Sequence, residues 1–201
     1  MLAGGLSKRS GRGRRGGGGG ALARFALLMT GLLLSPALAR AQTPLELAVK
    51  ATYLYKFAPF VQWPATSSPD PSGSFAICVI GADPFGGLLD RAVEGQSVEA
   101  RPIVIRRMAV ADAKASCQIA YLGGSAEQNI RDALDALHGA PVLTVTDQAA
   151  TPGVVDFSIV DGRVRFAVDD QAAAANGLTI SSKLLRLALS VKLRTSPGTN
   201  Q

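Results

Sequence analysis

The chain has 201 residues, 47% of them apolar, with 21 basic residues against 15 acidic ones. Seven of the basic residues (Lys8, Arg9, Arg12, Arg14, Arg15, Arg24 and Arg40) fall in residues 1–41, which hold no acidic residue; without that segment 14 basic residues face 15 acidic ones. The pI of about 9.7 therefore belongs to the leader and does not argue for nucleic-acid binding, and the remaining ~160 residues suffice for one domain with a core.

Residues 1–41 read as a secretory signal peptide. A cationic start and the glycine run Gly16 to Gly20 lead into "ALARFALLMTGLLLSPALARA", with Ala39 and Ala41 as small residues at the exit. Cleavage is expected after Ala41, with Ala39 the rival site. The apolar run of about a dozen residues is shorter than the roughly 20 a membrane span requires. Arg14-Arg15 lies too far from that run to read as a twin-arginine signal, and no cysteine at the exit suggests a lipid anchor. No second long apolar segment follows, so the processed chain is expected to be exported and not inserted in a membrane.

Thr43-Pro44-Leu45-Glu46 opens a helix: Thr43 caps it, Pro44 suits its first position, and Glu46 returns a hydrogen bond. Val49, Tyr53, Phe57 and Phe60 recur at helical spacing and predict the buried face, with Tyr55 and Trp63 projecting elsewhere. Pro59 should kink or end the helix, and residues 64–73, "PATSSPDPSG", form a loop. "FAICVIG" (75–81) reads as a buried strand, followed by a short helix capped by Asp83 with Pro84 at its first position. "RPIVIRR" and "CQIAYLG" (117–123) are strands. A helix runs from about Ser125 to Leu137, with Leu134 and Leu137 inward, and "PVLTVTD" is the fourth strand. "VVDFSIVDGRVRFAVD" is a hairpin turning at Asp161-Gly162, whose second arm alternates Val164, Phe166 and Val168 against Arg163, Arg165 and Ala167. "GLTISSKLLRLALSVK" ends the domain as a helix begun by Thr179 or Ser181, burying Leu184, Leu185, Leu187, Ala188 and Val191. The fold class is thus α/β: a single-domain sandwich over residues 42–194, with a largely parallel central sheet, a C-terminal antiparallel hairpin and helices on both faces. Residues 195–201 form a flexible tail.

Signatures of catalysis are sparse. His138, the single histidine, reads as a solvated helix end. One histidine and two cysteines supply no ligand set for zinc or a redox metal. "GADPFGG" has neither dinucleotide nor phosphate-loop spacing and reads as a tight strand-to-helix turn. Asp169 and Asp170 read as caps for the next helix. The chain is expected to be no enzyme and to need no cofactor or metal. Cys78 and Cys117 are an even count in an exported chain, which favours a disulfide over two buried thiols that never meet.

The blocks "ELAVKATYLYKFAPFVQWP", "ICVIGADPFGGLL", "CQIAYLGGS", "VLTVTD" and "RVRFAVDDQAAAANGLTISSKLLRLA" resemble, in that order, the signature blocks of the YfiR family across about residues 45–192. The resemblance implies a regulator in the periplasm of Gram-negative bacteria. Such a protein forms a homodimer and restrains an inner-membrane diguanylate cyclase by contacting its periplasmic domain; release raises cyclic-di-GMP and favours biofilm. The resemblance also implies that Cys78 and Cys117 form the disulfide joining the first core strand to a later one. A second disulfide found in part of the family has no counterpart here. Pro59 stands where proline is unusual, and Pro152-Gly153 replaces a double glycine. The alternative function is a periplasmic small-molecule-binding protein feeding another membrane receptor.

Two surfaces are candidate sites. Tyr55 and Trp63, off the predicted helix face, suit a dimer or partner surface, with pairing to Lys56 or loop packing as the ordinary roles. Arg163 and Arg165, with Ser181, Ser182 and Lys183 in the first turn of the last helix, form a candidate ligand or anion site; caps and a solvated lysine are the ordinary reading.

Overall fold

A computed structural model of the protein describes residues 42–65 and 73–195. The expected leader (1–41), the middle of the 64–73 loop and all but the first residue of the tail lie outside the described residues.

Helix α1 (Pro44–Lys56) starts where its caps predict: Pro44 is in the first turn, and the Thr43 hydroxyl accepts from the Glu46 amide at 3.2 Å. The Glu46 side chain does not turn back to the cap; it takes the Lys50 ammonium at 2.6 Å. Pro59 sits in a 3-10 turn (Ala58–Phe60) that ends the helix, followed by β1 (Val61–Gln62). The buried stripe of α1 differs from the predicted one. Lys50, Ala51, Leu54, Phe57 and Ala58 are buried, whereas Val49, Tyr53 and Phe60 are only partly covered. The true stripe follows spacing of three and four through a lysine, which a search for apolar residues skips.

The main sheet draws on β2 (Phe75–Gly81), β3 (Ser97–Val98), β4 (Arg101–Met108), β5 (Ile119–Gly124), β6 (Leu143–Asp147), β7 (Val155–Val160), β8 (Arg163–Asp169) and β10 (Ser190–Lys192), in the order β10-β8-β7-β6-β5-β2-β4-β3. Strands β4, β2, β5, β6 and β7 are mutually parallel. By order of appearance they run 2-1-3-4-5, a doubly wound arrangement whose direction of winding switches between β2 and β5. The predicted hairpin is present: β8 runs antiparallel to β7, and Asp161 and Gly162 both take positive φ, as a two-residue turn of matching twist requires. Along β8, Phe166 and Val168 face the core while Arg163 and Arg165 are exposed.

Helices α2 (Gly87–Val93), α3 (Ile130–Ala136), α4 (Asp170–Ala175) and α5 (Ser182–Leu187) complete the layers. Phe75, Ile77 and Val79 point to one face, where they join Leu54 and Phe57 of α1, Leu89 of α2 and Leu184 of α5. Cys78 and Ile80 point to the other, against Ala133 of α3 and Leu137 just beyond it. Near-continuous burial of β2 is what a parallel strand covered on both faces shows.

Three boundaries correct the sequence reading. Helix α2 begins at Gly87; Asp83 instead closes the preceding turn by accepting from the Phe85 and Gly86 amides at 2.8 and 3.1 Å. Helix α3 begins at Ile130 because Asn129 caps it, taking the Asp132 amide at 3.0 Å, while Ser125 caps a separate turn. The last predicted helix is a strand, a helix and a strand: β9 (Thr179–Ile180) pairs antiparallel with β1, α5 runs six residues, and β10 pairs parallel with β8. Leu187 is consequently 63% exposed rather than core. Edge pairing with β8, anchored by the Leu189 amide on the Phe166 carbonyl at 2.8 Å, overrides the helical spacing of those leucines.

Candidate functional site

In an open doubly wound sheet, ligands bind outside the carboxyl ends of the strands at the switch point. Here that point is closed. The Ala82 amide bonds the Gly124 carbonyl at 2.9 Å, locking the loop after β2 to the loop after β5. A Cβ on Gly123 would lie 1.9 Å from the Ala82 carbonyl oxygen, so only glycine permits this approach. Phe85 and Tyr121, both buried, fill the adjoining space with ring centres 4.7 Å apart, edge to face. Burial, together with the negative charges of Asp147, Asp83 and Asp156, pushes the Tyr121 phenol well above its ordinary range and keeps it neutral.

Beside this plug, at the end of β6, lies a buried charged centre the sequence reading missed. The Lys50 ammonium contacts Glu46 and Asp147 at 2.6 Å each; its side chain is 0% exposed and that of Asp147 7%. Gln42 donates to the same Asp147 oxygen, while the other, Oδ1, is buried without a hydrogen-bond partner. Lys50 thereby ties α1 to the carboxyl end of the sheet. In the sequence, Glu46 and Lys50 look like an ordinary exposed pair four residues apart; the only signal is that Lys50 falls three after Leu47 and four before Leu54.

On the far side of the loop after β2, Arg107 of β4 bonds Asp83 at 2.8 Å and Asp90 of α2 at 2.7 Å, and donates to the Gly86 carbonyl at 3.0 Å. Burial pushes the Asp83 carboxyl up, but the Arg107 guanidinium and the Phe85 and Gly86 amides outweigh it and hold it below the ordinary carboxylate range. Bonding to Arg107 lowers Asp90 as well.

The aromatic segment divides between core and surface. Tyr53 stacks on Phe57 at 5.7 Å, and Phe57 packs against Phe157 and Phe166 of the hairpin at 5.9 and 5.2 Å. Tyr55 is partly buried under the Lys56 ammonium, 4.9 Å from its ring centre. Trp63, also partly buried, lies edge-on to Phe75 at 5.5 Å and donates from Nε1 to the Gln118 carbonyl at 3.3 Å. Each thus has an intramolecular partner and retains some exposed surface.

Cys78 and Cys117 are bonded, with Cα atoms 5.8 Å apart and a sequence separation of 39, joining β2 to the entry of its neighbour β5. Asp169 caps α4 by accepting from the Ala172 amide at 2.8 Å and also binds Lys192; Asp170, buried, holds Arg194 through two bonds of 2.7 Å. His138 is exposed just past α3. The predicted anion site does not assemble as one. Arg163 and Arg165 line a hollow of about 390 Å³ with Leu187 and Leu189, whereas Ser181, Ser182 and Lys183 do not line it. Ser181 does cap α5, through the Lys183 amide at 3.2 Å. Among the described residues no group of three or more His, Cys, Asp or Glu could hold a metal ion, and no helix is long and apolar enough to cross a membrane.

No curated protein matches the chain. The family profile described as YfiR/HmsC-like matches residues 47–189, which takes in most of α1, the plugged switch point, the disulfide, the hairpin and α5. With most of its length covered in this way, the chain belongs to the YfiR/HmsC-like family.

Proposed function

We propose that this chain is a periplasmic, non-enzymatic regulator that binds and represses an inner-membrane diguanylate cyclase through the cyclase's periplasmic domain, acting as a homodimer. Family membership over residues 47–189 is the observation that carries this reading. The structure adds support of a physical kind. The crevice where a doubly wound sheet would hold substrate is filled by Phe85 and Tyr121, which leaves outer surfaces to do the recognition. A buried disulfide suits an oxidising compartment. Repression then requires the regulator to bind the inactive arrangement of the cyclase more tightly than the active one, and a signal must reverse that preference.

The test is site-specific photo-crosslinking in cells from positions 55 and 63, with exposed His138 as the control position. The expected product is an adduct, from position 55 or 63 but not 138, with an inner-membrane protein that carries a cyclase domain. Adducts with soluble proteins alone would count against the reading. A second reading, a small-molecule-binding protein feeding another receptor, has one observation in its favour: a hollow of about 620 Å³ between α2 and β4, lined in part by Val93, Gln96, Ile103 and Ile105, within the size range of ligand pockets. A thermal shift with one metabolite and no membrane adduct would select it.

A further inference from the structure

The edge of the sheet formed by β8, α5 and β10 is cationic and apolar at once. From Gln171 to the end of the chain there is no acidic residue, while Lys183, Arg186, Lys192 and Arg194 lie in that stretch. Lys192 and Arg194 are neutralised by Asp169 and Asp170. Arg163, Arg165, Lys183 and Arg186 take part in no ion pair among the described residues, and all four are exposed. Three leucines in the same stretch are exposed, Leu187, Leu189 and Leu193, by 63, 55 and 70%. The two sets are interleaved. Leu187 and Leu189 share one hollow with Arg163 and Arg165, where Asp161 is the single carboxylate. Lys183, Arg186 and Leu187, spaced by three and four, are all exposed on α5, whose buried residue is Leu184.

An exposed leucine is unremarkable singly, but Leu187 and Leu189 set between two unpaired arginines of β8 and two unpaired cations of α5 mark a surface that something covers. A second copy of this chain would bring the same four cations against themselves. Protein hot spots are rich in Trp, Tyr and Arg and poor in Leu; this edge has the arginines, but its exposed apolar residues are leucines and no aromatic lines the hollow. An anionic bilayer supplies both complements without demanding a fixed shape, phosphate for the guanidinium groups and acyl chain for the leucines.

We infer that the β8–α5–β10 edge is a peripheral docking surface for an anionic phospholipid bilayer, engaged by Arg163, Arg165, Lys183 and Arg186 with Leu187 and Leu189 inserted at the headgroup boundary. This inference stands apart from the cyclase reading, since it concerns lipid and not the partner protein.

The experiment is co-sedimentation of the protein, isolated from the cells that make it and with its N-terminus determined, with vesicles of phosphatidylglycerol and phosphatidylethanolamine or of phosphatidylcholine alone. Each basic residue near an anionic surface contributes about fivefold in partitioning. Arg163→Ala/Arg165→Ala should therefore weaken binding to the anionic vesicles about 25-fold, and 1 M salt, where the Debye length is about 3 Å, should remove most of it. Leu187→Ser/Leu189→Ser should weaken binding while leaving its salt dependence in place. All four positions are exposed, so unchanged unfolding curves are expected to show the variants folded. Any leader retained on the chain is common to all forms, so the difference between them reports the edge alone. Equal binding to neutral and anionic vesicles, or variants that bind as the parent does, would overturn the inference. So would variants that lose a protein crosslink while no form binds vesicles, since the edge would then belong to a protein partner.

Discussion

Lys50 gives the sharpest test of how α1 is held. Its side chain is fully buried between Glu46 and Asp147, and one Asp147 oxygen already lacks a partner. Lys50→Met keeps most of the aliphatic stem and removes the charge, so the loss measured is electrostatic rather than a cavity. Asp147 is then a buried carboxylate without a counter-ion, retaining only the Gln42 amide. Removing one member of a buried pair costs about 3–5 kcal/mol. At about 2–4 °C per kcal/mol for a domain of this size, the melting temperature should fall by roughly 6–20 °C. Urea unfolding followed by Trp63 fluorescence reads the same loss as a lower midpoint at unchanged slope. Lys50→Met/Asp147→Leu removes both charges and should recover most of the stability, because a buried ion pair replaced by apolar groups is often neutral. A single variant within about 1 kcal/mol of the parent, against that 3–5 kcal/mol expectation, or a double variant as unstable as the sum of the singles, would refute the reasoning.

Cys78→Ser/Cys117→Ser should lower stability by about 4 kcal/mol, the chain-entropy value for a 39-residue separation, in a denaturant titration; an unchanged midpoint would deny the bridge a stabilising role. Gly123→Ala should abolish soluble expression or sharply lower the melting temperature, because its Cβ would meet the Ala82 carbonyl at 1.9 Å; a well-folded variant would show that the two loops can part. Asp83 and Asp90 have lowered pKa values, so their contribution is present above the ordinary carboxylate value near 3.8 and is lost as pH falls through their lower folded values. Arg107→Ala should accordingly flatten the fall in stability below about pH 4, measured by denaturant midpoints from pH 6 to pH 2, and an unaltered pH profile would assign that acid sensitivity elsewhere.

Much of the fold is legible in the residues because single physical causes decide it. Runs such as "FAICVIG" and "LTVTD" are strands by apolar continuity, Thr43-Pro44 starts a helix by capping, and Asp161-Gly162 turns a hairpin by positive φ. The last segment misleads because Leu184, Leu185 and Leu187 have helical spacing while the free edge of β8 recruits Ser190–Lys192 into the sheet, and edge pairing is not written in local periodicity. The predicted face of α1 is off by part of a turn because its centre is a lysine, whose partner Asp147 lies 97 residues away. Tyr55 and Trp63 remain candidate partner contacts with intramolecular neighbours of their own, and the predicted anion site separates into two places because Ser181, Ser182 and Lys183 open α5 while the hollow of Arg163 and Arg165 is lined by Leu187, Ala188 and Leu189 at its other end. Long-range pairing of charges and closure of the switch point are properties of the assembled sheet, so no window of sequence contains them.

The function proposed for this protein, restraint of cyclic-di-GMP synthesis from outside the inner membrane, has one direct measurement. Intracellular cyclic-di-GMP should be measured in cells carrying the gene, lacking it, and lacking it but supplied with the exported protein. The expected result is a rise on deletion that the exported protein reverses and that a form retained in the cytoplasm does not. Unchanged cyclic-di-GMP on deletion, in cells shown to make the protein, would contradict it.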